Sequence, residues 1–208
     1  MKDLITSINA LKTTEISQII NSRIKEFSKF KQMDENSIFR ELCFCIMTAN
    51  CGAEKCIEIH EKIGDQFVTL SHLKLIEKFK EYGYRFPNIR SNFIIEARKK
   101  KQEVESRLKS KLYDTDLRDW LVKSIKGIGY KEASHFLRNV GFTDFAIIDF
   151  HIIDILVKYG LISKPKTLTK GKYLEIENVL KELADNLNLN LAELDLYLWF
   201  LETGKVLK

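Results

Sequence analysis

The sequence predicts an all-α protein, and three observations support that prediction. The 208 residues include only two prolines, Pro87 and Pro165, so few positions interrupt a helix. Apolar residues recur at helical spacing in almost every segment. Strand signals are weak, because Val68 and residues 145–148 are short apolar pieces that suit a buried loop equally well. We therefore expect roughly ten or more helices.

The first half of the chain shows helical signals in order. Residues 16–27 carry isoleucine and phenylalanine at helical spacing. Residues 38–49 are apolar nearly all round, which is typical of a buried central helix. A third helix is predicted over residues 71–82, where Gly83 suits a left-handed C-terminal end, and Pro87 fits the first turn of the next helix.

The second half continues this pattern to the end of the chain. Helices are predicted over residues 116–125, 130–140 and 149–159, and each is followed by a glycine that can end it: Gly127, Gly141 and Gly160. The final helix begins after Asn190, which forms a capping-box pattern with Glu193. It runs to about Thr203, and Gly204 closes it.

Composition sets the class of protein. Hydrophobic residues make up 45% of the chain, enough for a core, and the net charge of +5 permits an anionic partner without proving one. No apolar run reaches the roughly 18 residues of a membrane span, and the N-terminus lacks a signal-peptide hydrophobic region. We expect a cytoplasmic protein. The cysteines, Cys43, Cys45, Cys51 and Cys56, lack zinc-site spacing, so we expect buried reduced thiols and no metal.

The most informative stretch is the tight turn at Gly127, Ile128 and Gly129. Glycine accepts backbone angles that other residues avoid, so two helices can join here while Ile128 plugs the core. Unpaired N–H groups of the turn and the positive end of the following helix would then attract a DNA phosphate. On spacing alone, a plain helix–helix turn fits equally well.

Lys131 and Asp149 are the candidate reacting residues. Lys131 lies in a first helical turn, outside the apolar stripe, where the helix dipole disfavours an ammonium and so favours a nucleophilic neutral amine. Asp149 follows an apolar segment and starts the next helix, where capping would fix its carboxylate as an aimed anion. The alternatives are a solvated lysine and a purely structural cap.

These residues resemble a known family. Residues 126–131 together with Asp149 resemble the helix-hairpin-helix DNA glycosylases of the endonuclease III superfamily. The resemblance is closer to the archaeal 8-oxoguanine DNA glycosylase/AP lyase branch. It spans nearly the whole chain and includes residues 42–50, 126–141, 147–149 and 194–208. It implies a two-lobe helical fold with a central DNA-binding cleft.

The resemblance also implies how the 208 residues are divided. Residues 1–208 would form a single glycosylase unit with a central helical lobe over about 35–125. The helix-hairpin-helix and catalytic aspartate segment would occupy about 126–160. The terminal helices, about 1–34 and 161–208, would pack as the second lobe.

The resemblance further implies base-excision repair of oxidised DNA. The Lys131 amine would attack the sugar C1′, displace 8-oxoguanine and leave a Schiff base, and β-elimination would then cleave the strand. Asp149 would assist, and the target base would first flip out of double-stranded DNA. We expect a monomer, associated with the nucleoid through DNA binding.

Four further residues acquire roles from the same resemblance. Asn50 would fill the gap left by the flipped base, although an ordinary asparagine at a helix end fits equally well. The terminal carboxylate of Lys208 would accept a hydrogen bond from N7–H of 8-oxoguanine, which guanine lacks. Phe86 and Trp199 would stack on the flipped base, although core packing explains Trp199 better.

Two departures from relatives qualify the prediction. No cysteine lies beyond Cys56, so no iron–sulfur cluster is expected and no cofactor is required. The fold would separately allow a monovalent cation at the hairpin carbonyls. Phe150 stands where many relatives carry a basic residue, so no phosphate contact is inferred there. Two other functions stay open: the same chemistry on another damaged base, such as an oxidised pyrimidine, or a non-catalytic DNA-binding hairpin.

Overall fold

The computed structural model describes residues 1–110 and 114–208, and the regular secondary structure of that part of the chain consists of helices. It contains no strand, which confirms the all-α prediction. A short 3-10 helix spans Phe30–Gln32. The α-helices, in chain order, are α1 Lys2–Lys12, α2 Glu15–Lys29, α3 Glu35–Thr48, α4 Ala53–Ile63, α5 Gln66–Thr69, α6 His72–Glu81, α7 Pro87–Arg98, α8 Lys101–Lys109, α9 Asp114–Ser124, α10 Tyr130–Asn139, α11 Phe150–Lys158, α12 Lys170–Leu187 and α13 Leu191–Thr203.

The chain forms two compact units. Unit 1 comprises Met1–Ser28 and Gly141–Leu207, and unit 2 comprises Lys29–Val140 together with Lys208. The division into a central lobe and a second lobe expected from the resemblance stays a prediction. None of the helices within the described ranges is long and apolar enough to cross a membrane.

Helix α3 is the centre of unit 2. It packs against α4, α5, α7, α8 and α10, and its residues from Ile38 to Thr48 are nearly all buried, as the apolar pattern predicts. The helix starts at Asp34, whose carboxylate accepts hydrogen bonds from the N–H groups of Asn36 and Ser37 at 2.8 and 3.1 Å. The cap stabilises the N-terminus of α3 and burial holds the rest of the helix in place, so α3 supports the residues around it.

The core of unit 1 is built by α1, α12, α13 and α11. Helix α12 packs against α1 and α13, and α13 packs against α11. The capping box predicted at the start of α13 is present: Asn190 Oδ1 accepts from the N–H of Glu193 at 2.9 Å, and the Asn190 N–H donates to Glu193 Oε2 at 2.9 Å. Gly204, with φ of 72°, ends that helix in the left-handed region.

The two ambiguous apolar pieces resolve differently. Val68 lies in the short helix α5. Residues 145–148 form a buried loop of irregular backbone that leads into α11. A buried loop needs side chains to satisfy its backbone polar groups, and α12 supplies them, as described below.

Candidate active site

The hairpin turn requires glycine at position 127. Gly127 has φ of 83°, and a Cβ on it would lie 2.3 Å from Cδ2 of Phe93. Ile128 is 5% exposed, so it fills the core of unit 2 as its position predicts. Gly129 has φ of −98°, an angle open to any residue, so the expectation that both glycines are needed for their backbone freedom is wrong for Gly129.

The backbone donors of the turn are already partly used. The Ile128 N–H donates to the Ile125 carbonyl at 3.3 Å, and the Gly129 N–H donates to Glu132 Oε2 at 3.1 Å. These two amides are therefore not the unpaired donors that the sequence suggested. A phosphate at this hairpin would instead meet amides of the first turn of α10, where the helix dipole is positive.

Lys131 lies in that first turn, and its side chain is only 23% exposed. Its Nζ is 3.7 Å from Oε1 of Glu132, while the other carboxylate oxygen of Glu132 accepts from Gly129. Glu132 thus connects the turn to the amine. Glu132 was not among the residues predicted for the site, although its position three residues after Gly129 is the spacing of a capping box.

Helix α10 is buried on both of its faces. The predicted apolar stripe of Ala133, Phe136, Leu137 and Val140 is buried, with no residue more than 2% exposed. The polar residues between them are buried as well: Ser134, His135, Arg138 and Asn139. Burial lowers the pKa of His135 well below its ordinary value, and the cations Arg138 and Lys131 act in the same direction. The ring is therefore neutral.

Asp149 caps α11 as predicted. Its Oδ1 accepts a hydrogen bond from the Ile152 N–H at 3.0 Å, which fixes the direction of the carboxylate. The loop before it is held by α12: the Tyr173 hydroxyl donates to the Ala146 carbonyl at 2.7 Å and accepts from the Ile148 N–H at 3.2 Å. Tyr173 is thus a support for Asp149 that no local sequence signal marks.

Asn50 lies exposed at the end of α3, in the left-handed backbone region with φ of 60°. Asparagine tolerates that conformation better than most residues. Arg85 donates to the Asn50 carbonyl at 3.5 Å, and Arg90 donates to the Ala49 carbonyl at 2.9 Å. The ring of Phe86 is half-buried beside both guanidinium groups, at 5.0 and 5.6 Å from its centroid. Asn50 and Phe86 therefore lie on one surface of unit 2, where both are contacted by arginine side chains.

Trp199 is half-buried rather than a core residue. The His151 ring meets it edge-on at 4.8 Å, and the exposed ring of Phe150 lies 3.9 Å from the His151 ring. The indole Nε1 is buried and has no hydrogen-bond partner within residues 1–110 and 114–208. An indole with an unsatisfied donor is poorly explained by packing alone, so the core interpretation of Trp199 loses support.

Lys208 is held by its side chain in unit 2. Its Nζ lies 2.6 Å from Oε2 of Glu41 and 4.6 Å from the ring centroid of Phe44. Glu41 is 1% exposed and also accepts from Asn139 Nδ2 at 2.6 Å. Glu41 was not among the residues predicted for the site, although a carboxylate inside the apolar run of residues 38–49 is unusual.

Each unit carries part of the predicted site. Unit 2 holds Lys131, the hairpin, Asn50, Phe86 and Lys208, and unit 1 holds Asp149 and Trp199. The pairing of Lys131 with Asp149 stays a prediction, as does a monovalent cation at the hairpin.

The cysteines are present as free thiols, and three of the four are buried, while Cys51 is half-buried. Burial raises the pKa of Cys43 and Cys45, so these thiols are protonated. Among the residues that the structure describes, no group of three or more His, Cys, Asp or Glu side chains is arranged to hold a metal ion.

Comparison with known proteins gives a single consistent result. The family model of 8-oxoguanine DNA glycosylase, helix-hairpin-helix type, matches residues 20–189. The 8-oxoguanine DNA glycosylase/AP lyase of Methanocaldococcus jannaschii is 51% identical over 206 residues, with 99% of each chain covered. The protein of that name from Korarchaeum cryptofilum is 47% identical over 207 residues, covering 99% of this chain and 98% of the relative.

Solved structures agree with the sequence matches. The crystal structure of the M. jannaschii 8-oxoguanine glycosylase/lyase in complex with a 15mer DNA containing 8-oxoguanine matches with a TM-score of 0.96 and 50% identity, covering 99% of each chain. The 8-oxoguanine DNA glycosylase of Thermotoga maritima matches with a TM-score of 0.93 and 38% identity, covering 100% of this chain and 99% of that chain.

Proposed function

The chain belongs to the helix-hairpin-helix 8-oxoguanine DNA glycosylase family, and from that premise we propose that it excises 8-oxoguanine from DNA and then cleaves the abasic strand. It is a DNA glycosylase/AP lyase of base-excision repair. The observation that carries the residue assignment is Lys131: a 23% exposed amine in the first turn after the hairpin, tied to that hairpin through Glu132. A lysine held in this way is positioned, unlike a solvated surface lysine.

The chemistry proceeds in two stages. The lone pair of the Lys131 amine, after the amine has lost its proton, forms a bond to C1′ of the flipped nucleotide, while the bond from C1′ to the base breaks and its electron pair leaves with the base. Opening of the sugar ring then gives a Schiff base between Lys131 and C1′. Loss of a C2′ proton drives β-elimination of the 3′-phosphate, which cuts the strand, and hydrolysis of the Schiff base frees the lysine.

We assign Asp149 the role of anionic helper. Its cap to Ile152 leaves the second carboxylate oxygen for another partner, and Tyr173 braces the loop that delivers it. An oriented carboxylate stabilises the positive charge that develops on the sugar as the base departs. The same carboxylate can orient the attacking amine.

We assign DNA contacts to the hairpin and to Asn50. The turn at Gly127, Ile128 and Gly129 presents the first turn of α10 to a phosphate, which positions DNA without reading its sequence. Asn50 is exposed and its backbone carbonyl accepts from Arg85, so its side-chain amide can enter the space that the flipped base vacates. Double-stranded DNA with a damaged base is thus the proposed partner.

For base recognition we assign Phe86, Trp199 and Lys208. Phe86 and Trp199 are half-buried aromatic rings, suited to stacking on an extruded base. The buried Nε1 of Trp199 is a donor without a partner in the described chain, and a ligand is one way to satisfy it. The Lys208 carboxylate would accept from N7–H of 8-oxoguanine.

We further propose that the protein works as a monomer in the cytoplasm, associated with the nucleoid and without a required cofactor. The free thiols are consistent with a reducing compartment. Size-exclusion chromatography with light scattering tests the oligomeric state: a mass near 24.3 kDa is expected, and twice that mass would contradict it.

Borohydride trapping tests the proposed function directly. Borohydride reduces a Schiff base to a stable covalent adduct, so wild-type protein incubated with a duplex containing 8-oxoguanine should give a shifted protein–DNA band. Lys131→Gln should give none. Lys123→Gln is a matched control, because it removes the same charge from an exposed helical lysine of the same unit and should still trap.

The lesion panel separates the alternatives. Trapping by wild type on an oxidised pyrimidine, but not on 8-oxoguanine, would replace the proposed substrate while keeping Lys131. Absence of any adduct across the panel, with DNA binding intact, would support a non-catalytic hairpin and overturn the proposal. Trapping that survives in Lys131→Gln would remove this lysine from its role.

A further inference from the structure

The last residue of the chain is anchored by a buried carboxylate. Lys208 Nζ is 2.6 Å from Glu41 Oε2, and Glu41 is 1% exposed in the central helix α3. Charged residues are rarely buried unless they are paired, because removing a carboxylate from water is costly. The last residue of a chain is usually poorly ordered. Here it completes the pairing of a core carboxylate instead.

Asn139 is the third residue of this anchor, with Glu41 and Lys208. Its Nδ2 donates to Glu41 Oε1 at 2.6 Å, and Asn139 itself is fully buried at the end of α10. Oε1 of Glu41 is therefore held by α10, and Oε2 forms the ion pair with Lys208. Each carboxylate oxygen has its own partner, so the two contacts together fix the orientation of the carboxylate.

The aromatic residues beside Glu41 suit an ammonium. Phe44 presents its ring to Lys208 Nζ at 4.6 Å, and the rings of His60 and His135 meet Phe44 edge-on at 5.5 and 5.6 Å. Burial lowers the pKa of both histidines, so each ring is neutral and does not compete for Glu41. Lys208 thus provides a cation for Glu41 while its ammonium lies over the Phe44 ring.

We propose that Glu41 and Asn139 are positioning residues for base discrimination, which rests on the proposed function of Lys208. The ammonium of Lys208 is engaged by Glu41 and Phe44, so recognition of the base falls to its terminal carboxylate. Holding one end of the residue restricts where the other end can lie. The anchor therefore sets the carboxylate in a fixed position for an N7–H donor.

Helix α10 connects this anchor to the nucleophile. Lys131, His135 and Asn139 follow one another at intervals of four residues, so they share one face of α10. The lysine that attacks the sugar and the asparagine that orients Glu41 are fixed to the same rigid element. The distance between the attacking amine and the residue that orients Glu41 is therefore fixed by the helix.

Glu41→Gln tests the proposal, because glutamine keeps the shape and a carbonyl acceptor for Asn139 but removes the charge. Two single-turnover rates are measured: excision of 8-oxoguanine, and cleavage of a duplex that already contains an abasic site and needs no base recognition. Excision should fall about tenfold or more relative to abasic-site cleavage, the scale of a lost charge-assisted hydrogen bond. Lys208→Gln, which keeps the terminal carboxylate, should show the same selective loss.

The double variant Glu41→Gln, Lys208→Gln should be no worse than either single variant, because all three remove the same contact. Multiplying losses, equal falls in both rates, or excision within twofold of wild type would each overturn the proposal. Glu175→Gln, which breaks the exposed 2.6 Å ion pair with Lys172 in α12, is the control and should leave both rates unchanged. If Glu41→Gln does not fold, Lys208→Gln gives the decision, since it changes only the partly exposed last residue. Inactivity of the wild type on 8-oxoguanine would instead refute the proposed function.

Discussion

The substitution Gly127→Ala should destabilise unit 2 and misplace the hairpin. Two separate costs apply. A left-handed backbone with φ of 83° costs an L-residue roughly 1–2 kcal/mol. The new Cβ would also lie 2.3 Å from Cδ2 of Phe93, so the ring must move, and such overpacking costs about 1–3 kcal/mol. Because Phe93 is only half-buried, its ring has room to shift, and the sum should be about 2–3 kcal/mol.

Fluorescence can assign this loss to the right unit. The chain has two tryptophans, Trp120 in unit 2 and Trp199 in unit 1. A Trp199→Phe background therefore reports urea unfolding of unit 2 through Trp120. Gly52→Ala is the matched control, since its φ is −63° and nothing lies within 4 Å of its added Cβ. It should change stability by less than about 1 kcal/mol.

A double-mutant cycle with Phe93→Ala divides the two costs. Removing the ring eliminates the clash but leaves the backbone strain, so Gly127→Ala should cost only about 1–2 kcal/mol in the Phe93→Ala background. The coupling between the two positions should then be about 1 kcal/mol or more. An unchanged unfolding midpoint for Gly127→Ala, or a cost equal in both backgrounds, would refute the steric reasoning. DNA affinity measured on the same variants should fall with stability, because the turn positions the first turn of α10.

Three other predictions follow from the site. Asp149→Asn should slow 8-oxoguanine excision by about a hundredfold or more with DNA affinity within a factor of about three, because the amide keeps the cap but loses the charge; a collapse of affinity would make Asp149 mainly structural. Affinity for duplex DNA should fall as salt rises from 50 to 200 mM, since phosphate contacts release counterions, and a flat dependence would exclude backbone contacts. Burial lowers the pKa of His60 to about 4, so the unfolded state binds the extra proton between pH 6.5 and 4 and stability is lost as pH falls. Burial lowers the pKa of His135 as well, so wild type should lose stability through both histidines. From pH 7 to pH 5, urea unfolding of His60→Gln should therefore lose about 2 kcal/mol less stability than wild type, and an equal loss in the two proteins would assign the effect elsewhere.

Local patterns in the sequence predicted the features that local physics determines. The cap at Asp149, the capping box at Asn190 and the buried central helix were all readable, because each depends on residues within a few positions of one another. Gly127 was readable for the same reason. Gly129 was misread, because its conformation depends on the hydrogen bond to Glu132 rather than on backbone freedom.

Long-range contacts lay beyond that reading. Tyr173 supports the loop before Asp149 from 25 to 27 residues away, and Asn139 meets Glu41 across 98 residues of sequence. No periodicity encodes such pairings. A carboxylate inside an apolar helix signalled that Glu41 needs a partner, but the pattern could not identify the partner as the end of the chain.

The burial of α10 argues that function, beyond packing, shaped this helix. A helix selected only for packing would carry apolar residues wherever it is buried, since buried polar groups cost free energy unless they are partnered. Yet α10 buries Ser134, His135, Arg138 and Asn139 on the side away from its apolar stripe. Asn139 orients Glu41 at one end of the helix, and Lys131 stands at the other. Because a rigid helix fixes the separation of its ends, the polar face holds the nucleophile and the anchor of the C-terminus at a constant spacing. Asn139→Leu should therefore lower the selectivity of excision, and it should also destabilise unit 2, because the buried Glu41 would lose a hydrogen bond.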